Sequence, residues 1–327
     1  MEEKVLEVRN LKTHFSTRSG LVKAVDGVNF EVKKGEILGI VGESGCGKSV
    51  TSQSVMRLVG QKKSEILDGE ILYHGENLLD KSEAEMMKLR GKKISMIFQD
   101  PMTSLNPVYT VGEQIAEIPL IHEKKDKKFA WKKAIEMIRK VGIPSPGSRA
   151  SQYPHQFSGG MRQRGVIAMS LAGNPDLLIA DEPTTALDVT IQAQVLDLIC
   201  DLRDETNAAI ILITHDLGIV AEICDTVAVM YAGKIVEKAS VEELFESPNH
   251  PYTKGLLGSI PKPGSKERLQ PIQGQPPNLH DLPKGCRFAE RCPFAFDKCH
   301  EEQPELKSVN GKQHEVACFL KEEVNEA

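Results

Sequence analysis

The eight residues Gly42–Ser49, GESGCGKS, lie between a continuously apolar run, EILGIV at 36–41, and a stretch that reads as a helix from Ser49 onward, SVTSQSVMRLV. Glycines at 42, 45 and 47 let the backbone curl so that successive amide hydrogens point inward, and the following helix adds its positive end. A cradle of this kind takes phosphate oxygens. Lys48 is placed to reach β- and γ-phosphates, and Ser49 to hold Mg²⁺. A strand, a glycine-rich loop and a helix in this order predict an α/β fold built on a parallel sheet.

Three further apolar runs end in residues of chemical use. KISMIF at 93–98 runs into Gln99 and Asp100, DLLIA at 176–180 into Asp181 and Glu182, and AAIILIT at 208–214 into His215 and Asp216. Runs this unbroken are what strands covered on both faces look like. Between the last two, Ile191, Val195, Leu198 and Leu202 fall on one face of a helix. Ligand sites in doubly wound sheets gather at the carboxyl ends of the strands, so the phosphate loop, Gln99, Asp181, Glu182 and His215 are expected to converge. Each has a plainer reading as well: Asp181 can begin a turn instead of supporting Mg²⁺, and a histidine at a strand end can be structural. Glu182 can polarise a water in line with a γ-phosphate. Their joint occurrence with the phosphate loop favours the functional readings.

The composition narrows the partners. The 327 residues suffice for two domains or one large domain with an appendage, and 41 basic against 46 acidic residues leave a net charge of −5. No global field attracts DNA or RNA, so nucleic acid is not expected as a ligand. No uninterrupted apolar run is long enough to cross a bilayer, and MEEKVLEVRN lacks the pattern of a secretory signal, which together point to the cytosol.

FSGGMRQR at 157–164, LLIADEP at 177–183, ALD at 186–188, Gln99 and His215 stand in an order that, with the phosphate loop, resembles the nucleotide-binding subunits of ATP-binding cassette transporters over about residues 1–260. The resemblance implies a P-loop NTPase cassette: a parallel RecA-like core sheet, an antiparallel β subdomain and a helical subdomain at about 100–165. It implies ATP held by Gly42, Glu43, Ser44, Gly45, Cys46, Gly47, Lys48, Ser49 and Val50. Phe15 either stacks on the adenine or is an ordinary core residue of an edge strand. Mg²⁺ falls to Ser49, Gln99 and Asp181, and catalysis to Glu182 with His215 and Gln99. Ser158, Gly159, Gly160 and Asp188 are implied to meet the ATP of an opposite subunit, so that two ATP are sandwiched head to tail. In the helical stretch, Phe129, Trp131, Ala134, Ile135, Ile138 and Val141 read as core, and QDPMTSLNP at 99–107 is implied to receive a helix from a membrane partner. Cys46 is expected to be open to alkylation, and Cys200 and Cys224 to lie in the core.

From HPYTKGLLGSIP at 250–261 the chain becomes irregular, with prolines at 263, 271, 276, 277 and 283, and then carries Cys286, Cys292, Cys299 and Cys318. HPYT and the cysteine spacing resemble the C-terminal extension of dipeptide and oligopeptide importers, so 261–327 is expected to be a Pro-rich, four-Cys extension. In a reducing compartment the thiols are not read as disulfides. A [4Fe-4S] cluster, a structural Zn²⁺ and reduced thiols without metal all stay open; the absence of a close CxxC pair and the wide loops favour the cluster. The implied assembly has a second ATPase subunit, a paralogue or a second copy, two membrane permeases and an extracellular peptide-binding protein, placing the chain peripherally at the cytoplasmic face of a prokaryotic membrane. The competing readings are an importer ATPase for nickel or another small solute, and a soluble cassette ATPase.

Overall fold

The computed structural model describes residues 3–60, 65–185, 187–259, 272–309 and 313–321. The chain forms two compact units, each assembled from segments distant in sequence: one from residues 1–6, 32–36 and 80–213, the other from 7–31, 37–79 and 214–327.

The first unit holds parallel strands Ile94–Ile97, Leu177–Asp181 and most of Ala209–Thr214, with Ile94 opposite Leu177 and Leu177 opposite Ala209. All three are buried along their length, as their unbroken apolar runs require. The same unit holds helices Val111–His122, Lys127–Lys140, Gly159–Leu171 and Val189–Thr206, the first three packed on one another, and their starts are set by side-chain caps from Thr110, Asp126, Ser158 and Asp188. Two expected faces differ. On Val189–Thr206 the buried stripe is Val195, Leu196, Ile199 and Leu202, while Ile191 and Leu198 are half-buried, because the helix is turned toward the Leu196–Ile199 flank. On Lys127–Lys140 Ala130, Ala134, Met137 and Ile138 face inward, and Phe129 is exposed with the Lys125 ammonium 5.2 Å from its ring centroid.

In the second unit Ile37–Val41 pairs in parallel with Thr226–Tyr231, which pairs antiparallel with Lys234–Ser240. A further sheet runs in the order Gly20–Lys33, Lys4–Thr17, Glu65–Tyr73, Glu76–Asn77. The helix after the phosphate loop ends at Val55, short of the expected Val59. Arg57 takes a left-handed φ of 50°, and the amides of Arg57 and Leu58 return to the carbonyls of Ser54 and Gln53, closing the helix in a Schellman turn. The C-terminal segment is woven into this unit. Glu315–Val316 adds a strand to Lys234–Ser240 with Val316 opposite Glu237, and Tyr252 and Phe288 share one core with Val41, Val227, Val229 and Tyr231. The prolines at 263 and 271 lie outside the described residues; Ile272 to Lys284 forms neither helix nor strand.

Candidate functional site

The phosphate loop is held open by glycines that no other residue could replace without displacement. Gly42 has φ +154° and a Cβ there would sit 2.1 Å from the Met230 carbonyl oxygen; Gly47 has φ +108° and its Cβ would sit 2.3 Å from that of Ala24. Lys48, 5% exposed, donates to the carbonyl oxygens of Gly42 at 2.7 Å and Glu43 at 3.1 Å, so its ammonium lies against the start of the loop. Thr51 closes the first turn of the helix through its amide, 2.9 Å from the Gly47 carbonyl. Cys46 is buried rather than open to alkylation, and burial pushes its thiol up despite the neighbouring Lys48. Cys200 and Cys224 are half-buried. Phe15 is half-buried on the strand Lys4–Thr17, and His215 is exposed directly after Ala209–Thr214.

In the first unit Gln99 and Glu182, 83 residues apart in sequence, meet: Gln99 Nε2 donates to Glu182 Oε2 at 2.9 Å, and Thr185 Oγ1 donates to the same oxygen at 2.9 Å. Glu182 occupies the left-handed region at φ 48°, a conformation that a non-glycine residue adopts at a cost and that here aims its carboxylate off the strand end. Asp181 is buried beside it. The helix Gly159–Leu171 begins with Ser158, whose hydroxyl accepts the Met161 amide at 3.3 Å, and Gln163 on the same helix donates to the Pro183 carbonyl at 2.6 Å. The SGG segment is thereby tied to the residues that follow Glu182. Asp188 caps Val189–Thr206 through the Ile191 amide at 3.0 Å. Such a carboxylate, oriented by an amide and a hydroxyl, can take a proton from a water; a buried lysine at a glycine loop can balance a phosphate charge.

Cys286, Cys292, Cys299 and Cys318 all line one small cavity, together with His250, Phe288 and Phe319. None of the four is in a disulfide. Burial pushes Cys286 up to about 11 and Cys292 upward as well. Among the described residues no three His, Cys, Asp or Glu side chains are arranged to hold a metal ion, so the expected cluster is not supported by their arrangement.

Sequence reasoning did not find the residues that join this cavity to the phosphate loop. Arg291, next to Cys292, forms a two-pronged ion pair with Glu43, at 2.7 and 3.0 Å, and donates to the Tyr231 hydroxyl at 3.2 Å. The Glu43 amide donates to the hydroxyl of Tyr252 at 2.9 Å, and burial pushes the Tyr252 hydroxyl upward, keeping it protonated. Arg287, next to Cys286, bonds Asp26 and the Ala232 carbonyl. Tyr252 stands in the HPYT segment, which was a usable signal; a lone arginine beside a cysteine is not one. Deeper still, Glu237 is fully buried. Burial alone would raise it, but hydrogen bonds from His314 at 2.7 Å and from the amides of Asn249 and His250 hold it low.

A sequence model described as ABC transporter matches residues 25–185, and one described as the oligopeptide/dipeptide transporter C-terminal region matches 236–299. The probable peptide ABC transporter ATP-binding protein y4tR of Sinorhizobium fredii is 54% identical over 322 residues, covering 98% of this chain and 96% of that protein. This chain belongs to the ABC transporter ATP-binding proteins. The dipeptide transport ATP-binding protein DppD of Bacillus subtilis is likewise 54% identical over 98% of this chain and 96% of its own length. The dimeric ATP-binding cassette MJ0796, solved bound to ADP and Pi, superposes with a TM-score of 0.65 at 26% identity, covering 72% of this chain and 98% of that one. The ABC subunit is therefore an ATPase of the cassette fold. Among its described residues no helix is long and apolar enough to cross a membrane.

Proposed function

We propose that this ABC subunit binds and hydrolyses ATP to drive import of dipeptides or oligopeptides through a membrane transporter. The observation that carries this reading is the similarity to named peptide-transport ATPases, which runs through the C-terminal segment as well as the cassette. In this reading Gly42 to Val50 hold the triphosphate and Phe15 the adenine. Ser49, Gln99 and Asp181 hold Mg²⁺, which supplies charge neutralisation on the phosphates. Glu182 takes the proton of the attacking water, oriented by Gln99 and Thr185, and His215 contacts the γ-phosphate. Ser158, Gly159, Gly160 and Asp188 serve the ATP of a second ATPase subunit, a paralogue or another copy. Residues 1–260 act as the cassette, with 100–165 as its helical part receiving the permease, and 261–327 as the four-cysteine extension. Two permeases and an extracellular binding protein complete the assembly at the cytoplasmic face.

The thiol set at 286, 292, 299 and 318 is read as a site for a [4Fe-4S] cluster in a structural role, with Zn²⁺ as the alternative; that all four thiols line one cavity supports a shared site. Anaerobic purification tests it: iron and acid-labile sulfide near four each, with visible absorbance, are expected, and one equivalent of zinc in colourless protein refutes it.

The transport reading is tested by reconstituting the subunit with candidate permeases and a candidate peptide-binding protein from its own host. ATP turnover is expected to rise when the binding protein is loaded with di- to pentapeptides; a rise with Ni²⁺ alone, or no association with any permease, overturns it. In the same vesicles Glu182→Gln is expected to lower turnover at least about 100-fold while ATP binding persists and the cassettes stay paired. Unchanged turnover removes Glu182 from its role.

A further inference from the structure

A phosphate-binding loop gathers N–H dipoles and a lysine to receive a polyanion, and a carboxylate within it works against that purpose by direct repulsion. Glu43, the second residue of this loop, is such a carboxylate. Its charge is met by Arg291, 248 residues away, through two hydrogen bonds of 2.7 and 3.0 Å. The two-pronged geometry fixes the carboxylate plane as well as neutralising it.

Arg291 sits in a built socket. Its side chain is 4% exposed; Nε donates to the Gln273 carbonyl at 2.9 Å, Nη1 also reaches the Tyr231 hydroxyl, and the guanidinium lies 5.7 and 5.9 Å from the ring centroids of Tyr231 and Phe288. The backbone of Glu43 is held from the other side by Tyr252. A second strut runs parallel: Arg287 bonds the Ala232 carbonyl, and the next amide, that of Gly233, donates to the Cys46 carbonyl in the loop at 2.8 Å.

We propose that Arg291 is a positioning residue of the ATP site, cancelling the Glu43 charge and holding the start of the phosphate loop so that nucleotide affinity depends on the C-terminal segment. The inference rests on the ATP-binding reading of the loop. Its consequence is reciprocal: whatever the segment adds to ATP binding, ATP adds to the order of the segment. Arg291 touches no reacting atom, so its effect falls on binding and not on the chemical step.

The test uses equilibrium binding of radiolabelled ATP to the full chain, with steady-state turnover alongside, for the native protein and for Lys48→Ala, Arg291→Gln, Arg291→Lys, Glu43→Gln and the Glu43→Gln, Arg291→Gln double variant. Arg291→Gln is expected to raise the ATP Kd and KM about tenfold with kcat within about twofold, and Arg291→Lys to recover part of the loss. In the Glu43→Gln background no charge remains to cancel, so adding Arg291→Gln is expected to change the Kd by less than about threefold. Amide exchange across residues 286–301 is expected to slow on adding ATP to the native protein. An unchanged Kd in Arg291→Gln overturns the inference, as does an equal loss with Gln at 43, which would mean general damage to the segment. Native protein that binds no ATP, or binds it as well as Lys48→Ala does, sinks the ATP-site reading and this inference with it.

Discussion

The phosphate loop and the four-thiol cavity are built on opposite plans. The loop is eight consecutive residues whose working groups are backbone amides, so its geometry is set by φ angles and by the space beside each glycine. The cavity draws side chains from positions up to 318 − 286 = 32 apart, carried by short turns such as Ala289–Arg291 and Asp297–Glu301. A backbone site is broken by adding atoms, whereas a side-chain site is broken by exchanging them. The two plans meet where Arg291 of the tail grips Glu43 of the loop.

The comparison is most exposed to Gly47→Ala, the change with the largest expected effect. The new methyl would stand 2.3 Å from the Ala24 carbonyl oxygen and 2.8 Å from the Met230 methyl, at a φ of +108° that disfavours any L side chain. Displacing backbone costs more than the turn can absorb, so ATP affinity is expected to fall at least about 100-fold, read by the same binding assay. Near-native affinity would show that the loop tolerates added bulk and that the backbone plan is wrong.

Cys299→Ser tests the other plan. In the metal-free protein it adds no atoms but puts a hydroxyl where a buried thiol lines an apolar cavity. A cost of about 2–3 kcal/mol is expected, seen as a lower unfolding midpoint with faster proteolysis of the tail than of the first unit. A hydroxyl as stable as the thiol would mean the cavity is wetter or looser than its lining suggests.

These two regions also differ in how much could be read beforehand. The loop and the strands that run into Asp181 and His215 were legible because each is a local pattern whose meaning is carried by neighbours in sequence. The four cysteines were legible as a group and do line one cavity, but the shared metal expected from their spacing is not supported by their arrangement, and the walls around them were not legible. Arg291 and Arg287 were illegible: their partners, Glu43 and Asp26, lie some 250 residues away, and nothing in either neighbourhood marks the pair. Cys46 was misjudged because exposure was inferred from the loop's function, while Lys48 and the packed turn in fact enclose it. Phe129 was placed inward by helical spacing alone, yet the helix turned Ala130 and Ala134 to the core, where small residues allow closer approach.

Acid should separate the regions by a smaller amount. His250 is fully buried against the cavity, and desolvation lowers it to about 4 from 6.5. The unfolded chain takes up a proton near pH 6.5 that the folded chain refuses until about pH 4, so the stabilisation is complete above 6.5 and drains away as pH falls through that window. Glu237, held low by its hydrogen bonds, adds loss in the same direction only below its ordinary range. By pH 5 the unit carrying the tail is expected to lose about 2 kcal/mol, which a pH series of urea midpoints would show. His250→Gln should flatten that slope between pH 7 and 5; an unchanged slope would assign it to other groups.

The smallest effect is the sharpest control on the backbone plan, because Gly45→Ala lies two residues from Gly47 in the same loop. Its φ is +78°, so the change carries a left-handed backbone cost of about 1 kcal/mol, but nothing lies within 4 Å of the new Cβ. Without nucleotide the unfolding midpoint is therefore expected to fall only slightly, far less than for Gly47→Ala. If the two substitutions destabilise the nucleotide-free protein equally, the open space beside Gly45 is irrelevant and strain in φ alone governs the loop. If instead stability is nearly retained while ATP affinity falls sharply, the methyl is meeting the nucleotide itself, which would place a phosphate against Gly45 and locate the cradle's contact surface to a single residue.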